Sequence, residues 1–444
     1  MRADSVAGAE RPGAQRQERG EEATDRSSAE PDYRVRELEE EREAPDVTKS
    51  DEQAPVFDVN VDFMTGQPYP LWEQAREECP VFQTHSNMGF SDRPTYVVTK
   101  FADVEQVLRD TEHVSSSINA EHIGQFMGEL ILAMDGQEHR AYRGLVAHAF
   151  RASQLEKWDD TLVRPTIERL LDDIAPLGKA DLVQAITTKY PVQVICGIVG
   201  VPLEDAAQFH QWSELINGGP MHPEEGMAAS RAMRDYLAPI VEDRRENPVG
   251  DLMSDLVHAE IDGEKLTDER IYGFLRLLLP AGAETTFRVM GNALTALLTH
   301  PDVMQRVLAD RSLMPQVIEE TLRWETSVTQ VSRCATADTA VNGCPVPAGA
   351  AISVITASAN RDESRFERAD EFDIDRPVQN HMAFGTGQHQ CLGMHLARLE
   401  LRVGLDCILN RLPNLRLDPD SKPPVIEGLA FRGPVSIPVL FDPS

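Results

Sequence analysis

The 444-residue chain lacks any long uninterrupted run of apolar residues. A helix that crosses a membrane needs roughly 18 to 20 such residues in succession. The start of the chain also lacks the short apolar segment of a signal peptide. We therefore expect a cytoplasmic protein without a membrane anchor.

Basic residues are scarce beside acidic ones. The chain has 43 Lys and Arg against 73 Asp and Glu, which gives a formal net charge of −30. Because polyanions repel one another, this charge argues against nucleic acid or an anionic membrane surface as a partner.

Cysteine is sparse as well, and no two cysteines have the CxxC spacing. The six cysteines are Cys79, Cys196, Cys334, Cys344, Cys391 and Cys407. This pattern indicates neither a disulfide framework nor a zinc site, and it agrees with a reducing compartment.

The first 54 residues have few apolar side chains and are rich in Glu, Arg, Ala and Ser. Such a segment cannot bury enough surface to offset the entropy that it loses on ordering. We predict an acidic, disordered extension over residues 1–54 and one globular domain over residues 55–444. A role of the extension in docking a partner stays open.

The most informative stretch surrounds Cys391. Residues 384–393 read FGTGQHQCLG, and a helical pattern over residues 392–409 follows directly. A thiolate at a helix N-terminus is stabilised by the helix dipole and by backbone N–H groups. Taken alone, a single cysteine is more often a buried free thiol.

The residues around this cysteine suit a flat ligand. Gly385 and Gly387 permit a tight turn with positive φ, and Gly393 permits close approach to the backbone. Phe384 offers an apolar wall that would limit water at the sulfur. A turn of this kind suits thiolate ligation of haem iron.

A second polar pattern lies inside the longest predicted helix, residues 267–300. The helix is apolar on most sides and should be buried, yet Glu284 stands beside Thr285 and Thr286. An unpaired buried carboxylate is costly, so this group needs polar partners. A satisfied hydrogen-bond network is one explanation.

Pro280 lies one turn before this polar pattern. Because proline lacks the backbone N–H and crowds the preceding carbonyl, we expect a local kink there. At 100° per residue, four side chains lie on or near the Thr285 face. They are Phe274, Leu277, Leu278 and Ala281. Core packing without ligand contact is the alternative for Leu278.

Other segments follow ordinary patterns. We predict a small β-hairpin from residues 80–82 and 95–99, a helix over residues 101–109, and a mixed loop over residues 113–134. A helix pair over residues 203–215 and 224–247 would be joined by a loop that is a candidate for gating.

Taken together, these patterns resemble the cytochrome P-450 superfamily, in its soluble bacterial type. The stretch at Cys391 is similar to the family's haem-binding loop: Phe, two Gly, a basic residue two before the Cys, and Gly two after it. The resemblance covers about residues 55–444. It implies a mainly α fold with a small β region, a helical triangular prism around one haem.

The resemblance also assigns roles to residues. Cys391 would ligate the iron of heme b. Thr285 would be the alcohol and Glu284 the acid that together deliver protons. The family more often has Asp at the acid position. Haem propionates would be held by His139, Arg143, Arg333 and His389. Further haem contacts would be Phe384, Gly385, Gly393 and Ala281. Substrate would contact Phe274, Leu277, Leu278 and Phe431. Glu320 and Arg323 would form a structural ion pair.

The implied activity is that of a haem-thiolate monooxygenase, which inserts one atom of O2 into an apolar organic molecule. The chain ends some 50 residues after Cys391, so we expect electrons from a separate ferredoxin and its NAD(P)H-dependent reductase. Desaturation, oxidative coupling and peroxygenase chemistry are alternatives within the class. A haem-binding sensor or carrier that does not turn over is an alternative of another class, although a carrier needs no Glu–Thr proton relay.

Overall fold

Helices make up most of the described chain. The fold is that of a computed structural model, which describes residues 66–84 and 93–444. The predicted disordered extension and the tip of the predicted hairpin lie outside the described residues.

The α-helices have the following bounds. They are α1 Tyr69–Glu78, α2 Phe101–Arg109, α3 Ile118–His122, α4 Gly124–Met127, α5 Gly136–Ala147, α6 Ala152–Trp158, α7 Arg164–Ile174, α8 Tyr190–Val199, α9 Ala206–Asn217, α10 Pro223–Glu246, α11 Leu252–His258, α12 Asp268–Thr299, α13 Pro301–Ala309, α14 Met314–Trp324, α15 Thr356–Ala359 and α16 Met394–Arg411.

The strands are short. They are β1 Val81–Thr84, β2 Thr95–Val98, β3 Val114–Ser115, β4 Lys179–Asp181, β5 Glu260–Ile261, β6 Glu264–Lys265, β7 Val331–Ala335, β8 Thr339–Val341, β9 Cys344–Val346, β10 Ala351–Val354, β11 Arg416–Leu417, β12 Ile426–Glu427, β13 Gly433–Pro434 and β14 Pro438–Leu440. The largest described sheet has the order β1-β2-β10-β7-β3. Within it β2 and β10 are parallel, whereas the other pairs are antiparallel.

Several predicted elements are confirmed. Strands β1 and β2 form the predicted hairpin, with Val81 opposite Val98, and α2 has the predicted bounds. The helix pair is present as α9 and α10. The long helix is α12, which begins after an N-cap at Thr267 whose hydroxyl accepts from the backbone N–H of Arg270.

Two predicted boundaries were wrong. The segment 113–134 is not one loop, because it contains β3 and the short helices α3 and α4. Burial of Ile118, Phe126 and Met127 stabilises these single turns, and this burial depends on tertiary neighbours that a local pattern does not show. Helix α16 begins at Met394, because Cys391 and the next two residues continue the turn instead of the helix.

Helix α12 runs through the centre of the largest apolar core. An ideal Cβ on Gly282 would lie 2.7 Å from the Ile195 side chain of α8. One on Gly291 would lie 2.9 Å from Pro434 of β13. Glycine at these two positions therefore permits the close packing of α12. The helix is continuous through Pro280, and the kink expected there stays a prediction.

Two groups of buried charges join the long helices to the irregular C-terminal half. Glu320 and Arg323 of α14 form a buried ion pair of 2.7 Å, and Arg376 adds a contact of 3.2 Å to the same carboxylate. Glu325 is held between Arg361 at 2.9 Å and Arg432 at 3.0 Å. Each buried carboxylate in these groups has cationic partners, as burial of a charge requires.

Among the described residues, no helix combines the length and the apolar character needed to cross a membrane.

The ion pair between α14 and α16 gives the fold a pH dependence. Burial of the Glu319 carboxyl opposes its ionisation, but hydrogen bonds from Arg398 and His381 outweigh burial and lower its pKa to about 2. The contacts to Arg398 and His381 are 2.6 and 3.2 Å. A carboxyl with a depressed pKa stabilises the fold above its ordinary pKa of 4.5, and this contribution disappears as the pH falls toward 2.

We therefore expect Glu319→Gln to lower the free energy of unfolding at neutral pH. The difference from the wild type should shrink below pH 4.5, because the wild-type carboxyl then becomes protonated. Denaturant unfolding at a series of pH values measures this. Glu77→Gln, at an exposed position in α1, is the control. A difference that stays constant as the pH falls would contradict the assignment.

Candidate active site around Cys391

The turn that carries Cys391 is fixed by backbone contacts. The Cys391 N–H donates to the Phe384 carbonyl at 2.9 Å. Gly385 and Gly387 have φ values of +61° and +74°, a region that favours glycine. A Cβ on Gly387 would also lie 2.4 Å from the Leu108 carbonyl oxygen. The predicted roles of both glycines in the turn are therefore explained by geometry.

The thiol of Cys391 keeps accessible surface, although protein groups surround it. Burial raises its pKa above the ordinary value, and a hydrogen bond from the Gly393 N–H, Arg143 and Arg398 partly oppose this. Both facts fit a sulfur that faces an internal cleft. The expected stabilisation at a helix N-terminus is thus only partial, because α16 begins three residues later. A coordinating metal ion would deprotonate such a thiol.

Helix α12 leaves a single stripe of surface uncovered. From Ile271 to Leu297, four residues are not buried, and one of these is Gly282, which packs on α8. The other three, Ala281, Thr285 and Arg288, are spaced i, i+4 and i+7 and therefore share one face. The Thr285 hydroxyl donates to the Ala281 carbonyl at 2.9 Å.

The predicted pocket residues continue this stripe, but they are more buried. Phe274, Leu277 and Leu278 are all buried in the main core, and the Phe274 ring stacks on Tyr142 of α5 at 6.3 Å. Phe431 is half-buried and forms a β-bridge with Val328.

The Glu284 carboxylate is buried, with 4% exposure, and has one cationic partner on its own helix. Its Oε1 accepts hydrogen bonds from Nε and Nη2 of Arg288 at 2.9 and 2.5 Å. Its Oε2 is buried and has no hydrogen-bond partner among the described residues. Sequence reasoning missed Arg288, although the i, i+4 spacing of opposite charges was a usable signal.

A group of basic side chains is buried beside the cysteine turn. The rings of His139 in α5 and His389 lie 4.2 Å apart. Both ring nitrogens of His139 are buried without a hydrogen-bond partner in the described chain. Among the described residues, Arg333 of β7 donates only to the neighbouring Ser332 carbonyl, at 2.7 Å. Arg143 donates to the Gln390 carbonyl at 2.5 Å.

Burial dominates the electrostatics of this group. It lowers the pKa of Arg333 to about 10. It also lowers the pKa of His389 to about 4, with repulsion by Arg333 and His139 adding to the effect. Asp135 is the nearest acidic group, with Oδ1 at 3.5 Å from Nε2 of His389. Asp135, which sequence reasoning also missed, is already engaged by Gln388 at 2.9 Å and by Ser115.

These residues fit haem. Buried donors that lack acceptors call for an anionic ligand, and the two propionates of haem are carboxylates. The glycine-rich turn places a thiol two residues from His389. Cys391 could therefore hold iron, while Arg333, His139, Arg143 and His389 could hold the propionates.

A mainly helical fold with a cysteine turn and a buried basic group of this kind is the arrangement that a haem-thiolate protein needs. Comparison with known proteins agrees, since the family model for cytochrome P450 matches residues 206–438. The chain belongs to the cytochrome P450 family, and it is a monooxygenase.

Similar proteins are bacterial members of this family. The mycinamicin IV hydroxylase/epoxidase of Micromonospora griseorubida is 34% identical over 79% of this chain and 91% of the relative. The steroid C26-monooxygenase of Mycolicibacterium smegmatis is also 34% identical, over 84% and 92%. A Bacillus megaterium P450, crystallised with testosterone, has a TM-score of 0.76 at 30% identity and covers 85% of this chain and 99% of that one.

Arg333 has no carboxylate partner among the described residues, so replacing it should have opposite effects on the stability of the haem-free protein and on haem retention. Arg333→Met should leave the haem-free protein as stable as the wild type or more stable, because an unpaired buried charge is removed. The same substitution should speed haem loss at least about tenfold, because a charge-assisted hydrogen bond contributes about 1.5 to 3 kcal/mol. Thermal melting of the haem-free protein and haem transfer to an acceptor protein measure the two effects.

Arg306→Met is the matched control, because Arg306 pairs with Asp375 at the surface, 2.6 Å away. It should change neither quantity appreciably. If Arg333→Met destabilised the haem-free protein without affecting haem retention, Arg333 would be structural and the site would have been misassigned.

Proposed function

We propose that this monooxygenase inserts one oxygen atom into an apolar, multi-ring organic molecule, using heme b ligated by Cys391. The observation that carries the proposal is the buried group His139, Arg333 and His389 beside the cysteine turn. In the described chain both ring nitrogens of His139 lack a hydrogen-bond partner, and Arg333 donates only to a main-chain carbonyl. Two propionates would supply acceptors. Bound haem would supply the activation of O2.

The turn residues would seat the cofactor. Phe384 would limit water at the sulfur, and Gly385 and Gly393 would let the ring approach, since no protein atom lies within 4 Å of a Cβ built on either glycine. Ala281, exposed on α12, would face the other side of the ring.

Proton delivery would belong to Thr285 and Glu284. The Thr285 hydroxyl is committed as a donor to the Ala281 carbonyl, so its lone pairs remain to accept a hydrogen bond from a proton carrier. Glu284 keeps Oε2 without a partner. These two atoms, on adjacent residues of α12, would hold and pass a proton.

The substrate class is proposed from the lining and from the relatives. Phe274, Leu277, Leu278 and Phe431 offer apolar surface. The names of the relatives include a mycinamicin IV hydroxylase/epoxidase and a steroid C26-monooxygenase. Titrating steroids and mycinamicin IV while recording the Soret band tests this class. A spin-state shift with straight-chain fatty acids alone would contradict it.

A ferredoxin and its NAD(P)H-dependent reductase are proposed as electron donors. A cleft of about 370 Å³ lies along α16, and His395, Arg398 and Arg402 contribute to its wall. Acidic side chains also line it, namely Glu156, Asp159 and Glu319. Arg398 acts electrostatically on Cys391, so this face is close to the proposed thiolate. Exchange of ferredoxins in a reconstituted assay tests the partner, and equal turnover without any ferredoxin would exclude it.

The proposed ligation is tested by the ferrous–CO spectrum. Thiolate donation should place the Soret band at about 450 nm in the wild type. In Cys391→His the band should move to about 420 nm, as for haem bound through imidazole. Cys407→Ser, at a buried cysteine of α16, is the control and should keep the wild-type band. A 450 nm band in Cys391→Ala would refute the assignment.

Thr285→Ala should uncouple the enzyme, so that NAD(P)H is still consumed but peroxide replaces much of the product. General acid assistance contributes about 10²- to 10⁴-fold, and alanine removes the hydroxyl that positions the proton. Product, peroxide and NAD(P)H are measured together. Thr295→Ala is the control, because the Thr295 hydroxyl is buried on the same helix without a partner in the described chain. Unchanged coupling in Thr285→Ala would place the relay elsewhere.

A further inference from the structure

We infer that Arg288 is a positioning residue, which holds one oxygen of Glu284 and leaves the other free to pass protons toward Thr285. The inference rests on the proposed function, and it assigns a role to a residue outside the expected acid–alcohol pair. Three observations carry it: the contacts of the guanidinium, its place on α12, and the packing behind it.

The contacts are asymmetric. Two donor nitrogens of Arg288, Nε and Nη2, point at Oε1 of Glu284, at 2.9 and 2.5 Å. The Arg288 side chain is 20% exposed, and the Glu284 side chain is 6% exposed. Two hydrogen bonds to one oxygen occupy its lone pairs, so Oε2 is the atom left for a proton carrier. A carboxylate held at one oxygen has a fixed orientation for the other.

Arg288 lies on the same face of α12 as Thr285. It belongs to the stripe Ala281, Thr285 and Arg288, the uncovered face of an otherwise buried helix. Because Arg288 is at i+4 from Glu284 and at i+3 from Thr285, the guanidinium that compensates Glu284 also reaches the face of the proposed catalytic alcohol.

The packing behind Arg288 restricts its movement. A Cβ on Gly433 would lie 3.0 Å from Cβ and Cγ of Arg288, so the backbone of β13 presses against the stem of the side chain. The guanidinium carbon also lies 4.8 Å from the ring centre of Phe287 and 5.9 Å from that of Phe431. An arginine confined in this way loses little further entropy when it holds a carboxylate.

The first experiment compares Arg288→Gln and Arg288→Lys with the control Arg306→Gln in the reconstituted holoenzyme. In Arg288→Gln, product formed per NAD(P)H should fall about tenfold, since loss of orientation at a reacting group has effects of this order or larger. The dissociation constant of the substrate, from the Soret shift, should stay within about twofold, since the hydrogen bonds of Arg288 are with Glu284 and its guanidinium carbon lies 5.9 Å from the ring centre of the proposed substrate contact Phe431. Arg288→Lys should recover part of the coupling because it keeps a charged donor, whereas Arg306→Gln should behave as the wild type.

The second experiment does not require turnover. The infrared C–O stretch of the ferrous–CO form reports the polar groups near the ligand. In Arg288→Gln this band should shift or broaden, because the Glu284 carboxylate is released. Gly433→Ala should produce a smaller change of the same kind, because its methyl group displaces the stem of Arg288. Arg306→Gln should leave the band unchanged.

The outcomes separate the two proposals. A wild type with a 450 nm band but without reductant-dependent product would refute the proposed activity, and the C–O stretch would still decide the role of Arg288. An active wild type with unchanged coupling and an unchanged C–O stretch in Arg288→Gln would overturn the present inference alone. Loss of substrate binding in Arg288→Gln, without loss of coupling, would also overturn it, because Arg288 would then belong to the pocket wall.

Discussion

The structure depends on how each buried charge is compensated. A charge removed from water needs a partner of opposite sign and hydrogen bonds. In the described chain the carboxylates of Glu320 and Glu325 meet this requirement through two arginines each. Among the described residues, Arg333 and His139 have no carboxylate partner: Arg333 donates to the Ser332 carbonyl, and both ring nitrogens of His139 are buried without a hydrogen-bond partner. Groups of this kind are candidates for binding a ligand. These two side chains therefore indicate a binding site independently of any cofactor.

Helix α12 has one tightly packed side and one side that keeps accessible surface. On one side, glycine at 282 brings it against α8. On another side, Ala281, Thr285 and Arg288 keep accessible surface. Tight packing of the first side holds the second side at a fixed position, which a relay of protons over short hydrogen bonds requires. Small residues on α12 therefore permit its close packing, and they would also permit the proposed proton relay.

The sequence predicted the elements whose signals are local. Helix α2, the hairpin of β1 and β2, and α12 follow from local residue patterns, and the turn at Cys391 follows from glycine spacing. It did not predict α3 and α4, because single helical turns are stabilised by burial against distant segments. Arg288 was missed for a related reason. Its spacing from Glu284 was visible, but its confinement by Gly433 joins residues 145 positions apart. Asp135 lies far from His389 in sequence, so no local pattern connects them.

The pairing of Glu284 with Arg288 addresses a conflict that any buried proton relay faces. A carboxylate without a partner would be too costly to keep in the core of α12. One held at both oxygens would be stable there, but each oxygen would have one lone pair already engaged. A guanidinium that bonds only Oε1 lies between these limits. It compensates the charge, fixes the orientation, and leaves Oε2, on the residue next to Thr285, without a hydrogen-bond partner in the described chain. In the proposed relay this asymmetry would leave both lone pairs of Oε2 for a proton carrier, whereas a two-oxygen pair would engage one lone pair on each oxygen.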